Sequence, residues 1–470
     1  MTIPSQRAVD YILSNQEQYL ADLKELVRIP SVSFDGFDPR HVDHAAVAVA
    51  SLLKLRGFEN VDVLRLPGAH PYAYGDWLHA PGAPTLLLYA HHDVQPPGRP
   101  ELWTSPAFEP TQRSGRLYGR GTADNKAAIT VYTSAVAAHL KIAGDLPVNV
   151  KVIIEGEEEI GSRSLERFTK KHRRKLSADA IVIHDTGIYD TGSPSITTSL
   201  RGLAAMDVTV RTAEKPAHSG VWGGPLPDPV QALSKMIASL TGPDGRMTIP
   251  GIYDRVRVPS KAEQASLDSL RCDEKTFRAQ SGLLPKSRLL GNGKHLFGKI
   301  WYEPALSVNA IQASSRKEWA NIINDSAWCH LGIRTVPNMS PADTAKRLKA
   351  HLLANAPWGV KVEFSSENLN PAWRTDADNP LFCAAARSLE KGYGRKPVLM
   401  GCGGSIGFVE PFAKALGGVP VILIGLGDPY ANHHGENESM HLGDYFKAVA
   451  SMAHFLREAA DPGLWPGKRP

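Results

Sequence analysis

Four segments of this chain carry side chains able to hold a divalent cation. The first is Tyr89-Ala90-His91-His92-Asp93-Val94. In an extended chain residues i and i+2 share a face, so His91 and Asp93 lie side by side and His92 points the other way. A carboxylate so placed can accept a hydrogen bond from the imidazole and fix its tautomer. The second is Gly119-Arg120-Gly121-Thr122-Ala123-Asp124-Asn125-Lys126, where Asp124 opens a long helix. An Asp there either caps the helix or serves as a ligand. The third, Glu155-Gly156-Glu157-Glu158-Glu159, crowds carboxylates that repel one another unless a cation or solvent relieves them. The fourth pairs Asp185, next to His184, with the loop Asn432 to Glu438, which holds His433 and His434. Each segment alone has an ordinary structural reading. Together they supply imidazole and carboxylate without thiolate, the donors a zinc-type ion takes, and manganese or cobalt suits the same oxygen-rich set.

These groups need a scaffold. Thr85 to Ala90, Val148 to Ile154 and Ala180 to Ile183 are short apolar runs of the kind buried on both faces of a sheet. Helical spacing at 124–142 and 162–175 falls between them, and the alternation predicts an α/β fold with a mostly parallel central sheet flanked by helices. In such sheets functional groups sit just past the carboxyl ends of the strands. Upstream, residues 7–28 read as one helix stopped by Pro30, and 42–56 as another ending before Gly57. The texture changes near 199. A strand at 203–211, a helix at 227–240, a poorly periodic stretch at 241–305, a strand at 328–336, a helix at 341–354 and a strand at 360–364 predict an inserted α+β domain. A helix at 379–391, a strand at 419–424 and a helix at 442–458 return to the first pattern. The expected division is therefore a catalytic domain at 1–198 and 371–470, and a lid or dimerisation domain at 199–370.

Composition excludes other classes. The chain has 470 residues, enough for two or three domains, and its 42% hydrophobic and 21% charged content is that of a globular protein. The net charge is +5, and the densest basic run, Lys170 to Lys175, reads as a solvated helix face without the interleaved aromatics of a nucleic-acid patch. No apolar stretch has the length of a membrane span, and Met1 to Asp10 lacks the pattern of a signal peptide. The four cysteines form no Cys-x-x-Cys pair. The expectation is a cytoplasmic protein with reduced thiols and no nucleic-acid or membrane partner.

The motifs in order are His91-His92-Asp93-Val94-Gln95-Pro96, Leu117 to Gly121, Glu155 to Ser162, His218 to Gly224, Arg334 to Met339 and Gly403 to Ile406. With them the chain resembles the M20 family of metallopeptidases, and within it the carnosinase-like dipeptidase branch. The resemblance implies a hydrolase of dipeptide amide bonds with two divalent metal ions per subunit. It implies Asp124 as the carboxylate shared by both ions, His91 and Asp185 completing one site, and Glu159 and His434 the other. It implies Glu158 as general base, Asp93 as the orienting carboxylate, and a homodimer in which His218 acts in trans on the oxyanion. Arg334 is implied to clamp the substrate carboxylate, with Asn309, Asn321 and Ser405 near the substrate. The same site also suits an aminoacylase or a deacylase of N-acyl or N-succinyl amino acids. Two positions depart from the branch: Asn125 stands where an Asp is usual, and Cys402 where a Glu is usual. Cys402 reads as a small buried residue.

Overall fold

The computed structural model describes residues 5–270, 273–291, 295–317 and 319–465. It divides into two compact units. One comprises Met1–Thr198, Thr375–Met400 and Phe408–Pro470, the other Ser199–Arg374 and Gly401–Gly407.

The centre of the first unit is a twisted sheet whose strands run in the order Glu59–Leu64, Tyr72–Trp77, Asn149–Glu155, Thr85–His91, Ala180–Gly187, Val421–Gly427, Ser195–Leu200. The middle strands, from Asn149–Glu155 to Val421–Gly427, pair in parallel, and the margins are antiparallel. The apolar run of Thr85–His91 serves both faces of this sheet. Leu86, Leu88 and Ala90 join the core built with the helices Lys126–Ala143 and Leu442–Glu458. Tyr89 points the other way and packs its ring 4.6 Å from Phe408 and 5.7 Å from Phe412. Burying each such side chain contributes about 1.5–3 kcal/mol, and that burial fixes where each strand ends. The parallel strands thus deliver His91 and Glu155 side by side in register.

The second unit is a four-stranded antiparallel sheet in the order Ala305–Gln312, Ser326–Thr335, Gly202–Arg211, Lys361–Asn370. Alternate residues Ala204, Met206, Val208 and Val210 meet Leu233 and Met236 of the helix Pro229–Ala238 and Leu348 and Leu352 of Pro341–Ala354. That is the period of two expected of a sheet covered on one face.

Several elements differ from the sequence reading. The single helix at 7–28 is two, Ser5–Ser14 and Gln16–Val27, because the Asn15 amide donates to Tyr11 O at 2.8 Å and competes with the helical ladder. The helix at 162–175 breaks at His172 into Leu165–Lys171 and Arg173–Leu176. The stretch 241–305 holds helices at Lys261–Ser269, Glu274–Ser281 and Leu296–Tyr302. The first is fixed by a Ser260–Glu263 capping box and the second by Asp273, so caps define them where apolar periodicity does not. The strand Ala305–Gln312 carries no buried-face alternation, because its side chains are mostly exposed. Cys402 is half-buried rather than buried, and Cys272 lies outside the described residues.

Candidate metal centre

The strand Thr85–His91 ends with His91 fully buried. Its Nδ1 lies 3.0 Å from the carbonyl of Asp93 and 3.4 Å from that residue's Oδ1, which leaves Nε2 facing away from both. Nε2 meets Asp124 Oδ1 at 3.1 Å, Asp185 Oδ1 at 3.5 Å and Glu158 Oε2 at 3.9 Å.

Asp124 is presented by the turn that precedes the helix Lys126–Ala143. Gly121, at φ 85°, turns the backbone in the left-handed region that favours glycine. The N-cap position of that helix is Asn125, without a side-chain capping bond, so Asp124 is not the cap. The second oxygen of Asp124, Oδ2, meets His434 Nε2 at 3.0 Å, and the same His434 nitrogen lies 3.5 Å from Glu159 Oε2. One carboxylate therefore reaches both imidazoles, one through each oxygen.

The acidic segment after Asn149–Glu155 sorts itself by direction. Glu155 accepts from Tyr89 Oη at 2.6 Å, and Glu157 from Tyr72 Oη at 3.1 Å and from the Ser164 N–H. Burial pushes Glu155 up to about 8, partly offset by the Tyr89 hydrogen bond. Glu158 and Glu159 turn the other way, towards His91, Asp124 and His434. Their N–H groups donate to Asp93 Oδ1 and Oδ2, each at 3.1 Å, and Ser33 Oγ donates to Oδ2 at 2.6 Å. Asp93 thus holds the Glu158–Glu159 turn as well as the His91 ring. Asp185 lies inside its strand, which runs on to Gly187, and accepts from the Asn125 amide at 2.9 Å.

The electrostatics follow. Burial, and then the Asp185 charge, push Glu158 well above the usual carboxylate range; burial and Asp124 do the same to Glu159. Burial raises Asp185 too, against the pull of His91. Burial alone would raise Asp124, yet hydrogen bonds from His434 and His91 hold it well below the usual range. For His91, burial favours the neutral ring, but Asp185 and the other carboxylates carry it well above the usual imidazole value. Among the described residues no lysine or arginine pairs with Asp124, Glu158, Glu159 or Asp185. Lys126, close in sequence, turns its Nζ to the carbonyls of Leu26 and Ile29. A proton on the imidazoles and a divalent cation are competing answers to that excess of negative charge. Donor atoms of His91, Asp124 and Glu159, and again of His91, Glu158 and Asp185, lie within 4.8 Å of one another, so the residues fit such an ion.

Residues 87–458 match the family described as Peptidase family M20/M25/M40. The chain belongs to that family. A cysteinylglycine-S-conjugate dipeptidase of Corynebacterium striatum is 32% identical over 450 residues, covering 94% of this chain and 95% of that protein. The Cys-Gly metallodipeptidase dug1 of Schizosaccharomyces pombe is 28% identical, with 98% and 99% covered. The crystal structure of human carnosine dipeptidase 1 superposes with a TM-score of 0.83 at 28% identity, covering 98% of this chain and 99% of that one.

In this M20/M25/M40 member, His91, Asp93, Asp124, Glu158, Glu159, Asp185 and His434 come together in the first unit. His434, held at φ 62°, faces Asp124, whereas the His433 ring lies over Gly427. The remaining sequence-derived residues all belong to the second unit. Arg334 Nη1 donates to Ser405 Oγ at 2.7 Å. His218 caps the short helix Ser219–Trp222 and neighbours Asn321, whose carbonyl accepts the Ser219 N–H at 2.9 Å. Asn309 lies on the exposed strand Ala305–Gln312.

Other members of the site had no assigned role in the sequence. The Gln95 amide donates to Glu159 Oε2 at 2.7 Å. Glu438 accepts from Arg120 Nη1 at 2.7 Å and from the N–H groups of Gly121, Ala123 and Asp124. Arg120 in turn donates to His434 O at 3.0 Å, so this buried pair joins the Asp124 turn to the His434 loop. Gln95 stands in the motif His91 to Pro96 without a role read from it, and a pair 318 residues apart leaves no local signal.

Proposed function

We propose that this chain is a metal-dependent dipeptidase that holds two divalent cations, zinc first, with manganese or cobalt suited to the same donors. The observation that carries the reading is Asp124, whose two oxygens face His91 and His434 separately. His91 and Asp185 would hold one ion with Asp124, and Glu159 and His434 the other. When bound, such ions supply Lewis acidity, polarising a carbonyl oxygen and making water more acidic at neutral pH.

The protein's own groups do the rest. Glu158 faces the cluster through Oε2 and takes the proton from water as it attacks the amide carbon. The same carboxyl then passes that proton to the leaving amide nitrogen. Asp93 holds Glu158 and Glu159 by their N–H groups, so base and ligand keep their spacing. Arg334, braced by Ser405, binds the substrate carboxylate, and Asn309 and Asn321 help to line the substrate. His218 acts in trans on the developing oxyanion within a homodimer. The exposed edge strand Ala305–Gln312, with Val308 and Ile311 open to solvent, supports pairing with a second copy. The free thiols of Cys329, Cys383 and Cys402 suit the cytoplasm, and no helix among the described residues is long and apolar enough to cross a membrane.

The dipeptidase names of the relatives support peptides over N-acyl amino acids as substrates. The test is hydrolysis of a dipeptide panel and an N-acyl amino acid panel after chelation and after adding back Zn²⁺ or Mn²⁺. Metal-restored cleavage of dipeptides is expected. Cleavage confined to the acyl panel contradicts the substrate reading, and chelator-resistant cleavage contradicts the mechanism.

A further inference from the structure

Lys126 opens the helix Lys126–Ala143 two residues after Asp124, yet it is only 1% exposed and no step of the proposed reaction uses it. A lysine is almost never fully buried unless its amine is paired. Its Nζ donates to Leu26 O at 2.8 Å and to Ile29 O at 2.6 Å. Those carbonyls lie 100 and 97 residues earlier, at the end of the helix Gln16–Val27 and just past it. The last carbonyls of a helix lack partners in its own ladder, and a lysine amine suits them. Both hydrogen bonds go to backbone, so the lysine fastens one segment of chain to another. Its stem takes a tight path. A Cβ on Gly121 would lie 2.7 Å from Val94 Cγ1 and 3.2 Å from Lys126 Cδ, which packs the Asp124 turn, the His91–Val94 segment and the lysine stem together.

The fastened segment leads directly to Asp93. Past Ile29 the chain runs alongside His92, Asp93 and Val94. Ser31 Oγ donates to His92 O at 2.6 Å, the Val94 N–H donates to Ser31 O at 3.0 Å, and Val32 and Val94 form a parallel bridge. Ser33 Oγ then reaches Asp93 Oδ2 at 2.6 Å, and Asp93 receives the Glu158 and Glu159 N–H groups. Residues 29–33 are thus a strap with two fixed ends. Lys126 holds one end beside the Asp124 turn, and Ser33 holds the other at Asp93.

We propose that Lys126 is a positioning residue for the metal centre. By tying Leu26 and Ile29 to the Asp124 turn it sets the strap so that Ser33 holds Asp93, and Asp93 keeps the spacing of His91, Glu158 and Glu159. The lysine acts through the strap, not on an ion or a substrate. The inference rests on the metal-dependent reading.

The test is the dissociation constant for Zn²⁺, measured in competition with a chromophoric chelator, for wild type, Lys126→Met, Ser33→Ala and the double variant, each shown to be folded by circular dichroism. Each single change is expected to weaken zinc binding about 10–100-fold. Because both act on one strap, the double variant binds no more weakly than the weaker single one, whereas independent residues multiply their losses. A lysine that only stabilises the fold would lower the unfolding midpoint without this coupling. Wild-type affinity in either single variant, or losses that multiply in the double one, overturns the inference. If Lys126→Met does not fold, Lys126→Gln, which keeps a shorter donor, takes its place in the same cycle. A wild type that binds no zinc sinks the metal reading itself, while failure of the cycle alone leaves that reading intact.

Discussion

Glu438 is a buried carboxylate and Glu158 a half-buried one, both in the first unit, yet their surroundings are opposite. Glu438 receives Arg120 and three backbone N–H groups, so its charge is matched and its lone pairs are filled. Glu158 sits among Asp185, Asp124 and His91, and desolvation with the two aspartates drives its proton affinity up against the pull of His91. The fold itself compensates the first; among the described residues the second has no lysine or arginine beside it. A buried carboxylate with a complete set of donors is scaffold, and one crowded by other carboxylates is chemistry.

Exchanging the two environments' key groups separates these roles. Glu158→Gln keeps shape and removes the base, so kcat falls about 10²–10⁴-fold while bound metal and unfolding midpoint stay as in the wild type. Steady-state kinetics with elemental analysis checks this, and a variant that loses metal instead makes Glu158 a ligand. Arg120→Met strands the Glu438 charge, so unfolding stability drops by about 3–5 kcal/mol in urea titration. It also frees the His434 carbonyl, and metal content should fall with it. Ser33→Ala removes one donor from Asp93 and loosens the Glu158–Glu159 turn, costing about 10–100-fold in metal affinity or activity with little change in stability. Lys170→Ala breaks the fully solvated pair with Glu166, and neither thermal midpoint nor kcat should move. A measurable loss there would mean that the contrast between buried and exposed charge has been overdrawn.

The sequence carried the site further than it carried the second unit. Apolar runs from Thr85 to Ala90 and from Val148 to Ile154 announced both strands, because a parallel strand buried on two faces leaves an unbroken apolar signal. The helix Leu442–Glu458 was readable for the same kind of reason. The strand Ala305–Gln312 was not, since an exposed edge strand need not alternate. Short capped helices such as Lys261–Ser269 were equally silent, because a cap is one residue deep and a period needs several. What no local pattern could supply was pairing across distance. Arg120 with Glu438, and Asp93 with the Glu158 and Glu159 amides, exist only once the chain has folded.

The central claim is that the excess negative charge around Asp124 is a two-cation site. Equilibrium dialysis of the chelated protein against Zn²⁺, read by elemental analysis, tests it directly beside Asp124→Ala. Two equivalents per chain are predicted for the wild type, with at most weak residual binding in the variant. A wild type that takes up no zinc, or a variant that takes up as much, would contradict the account.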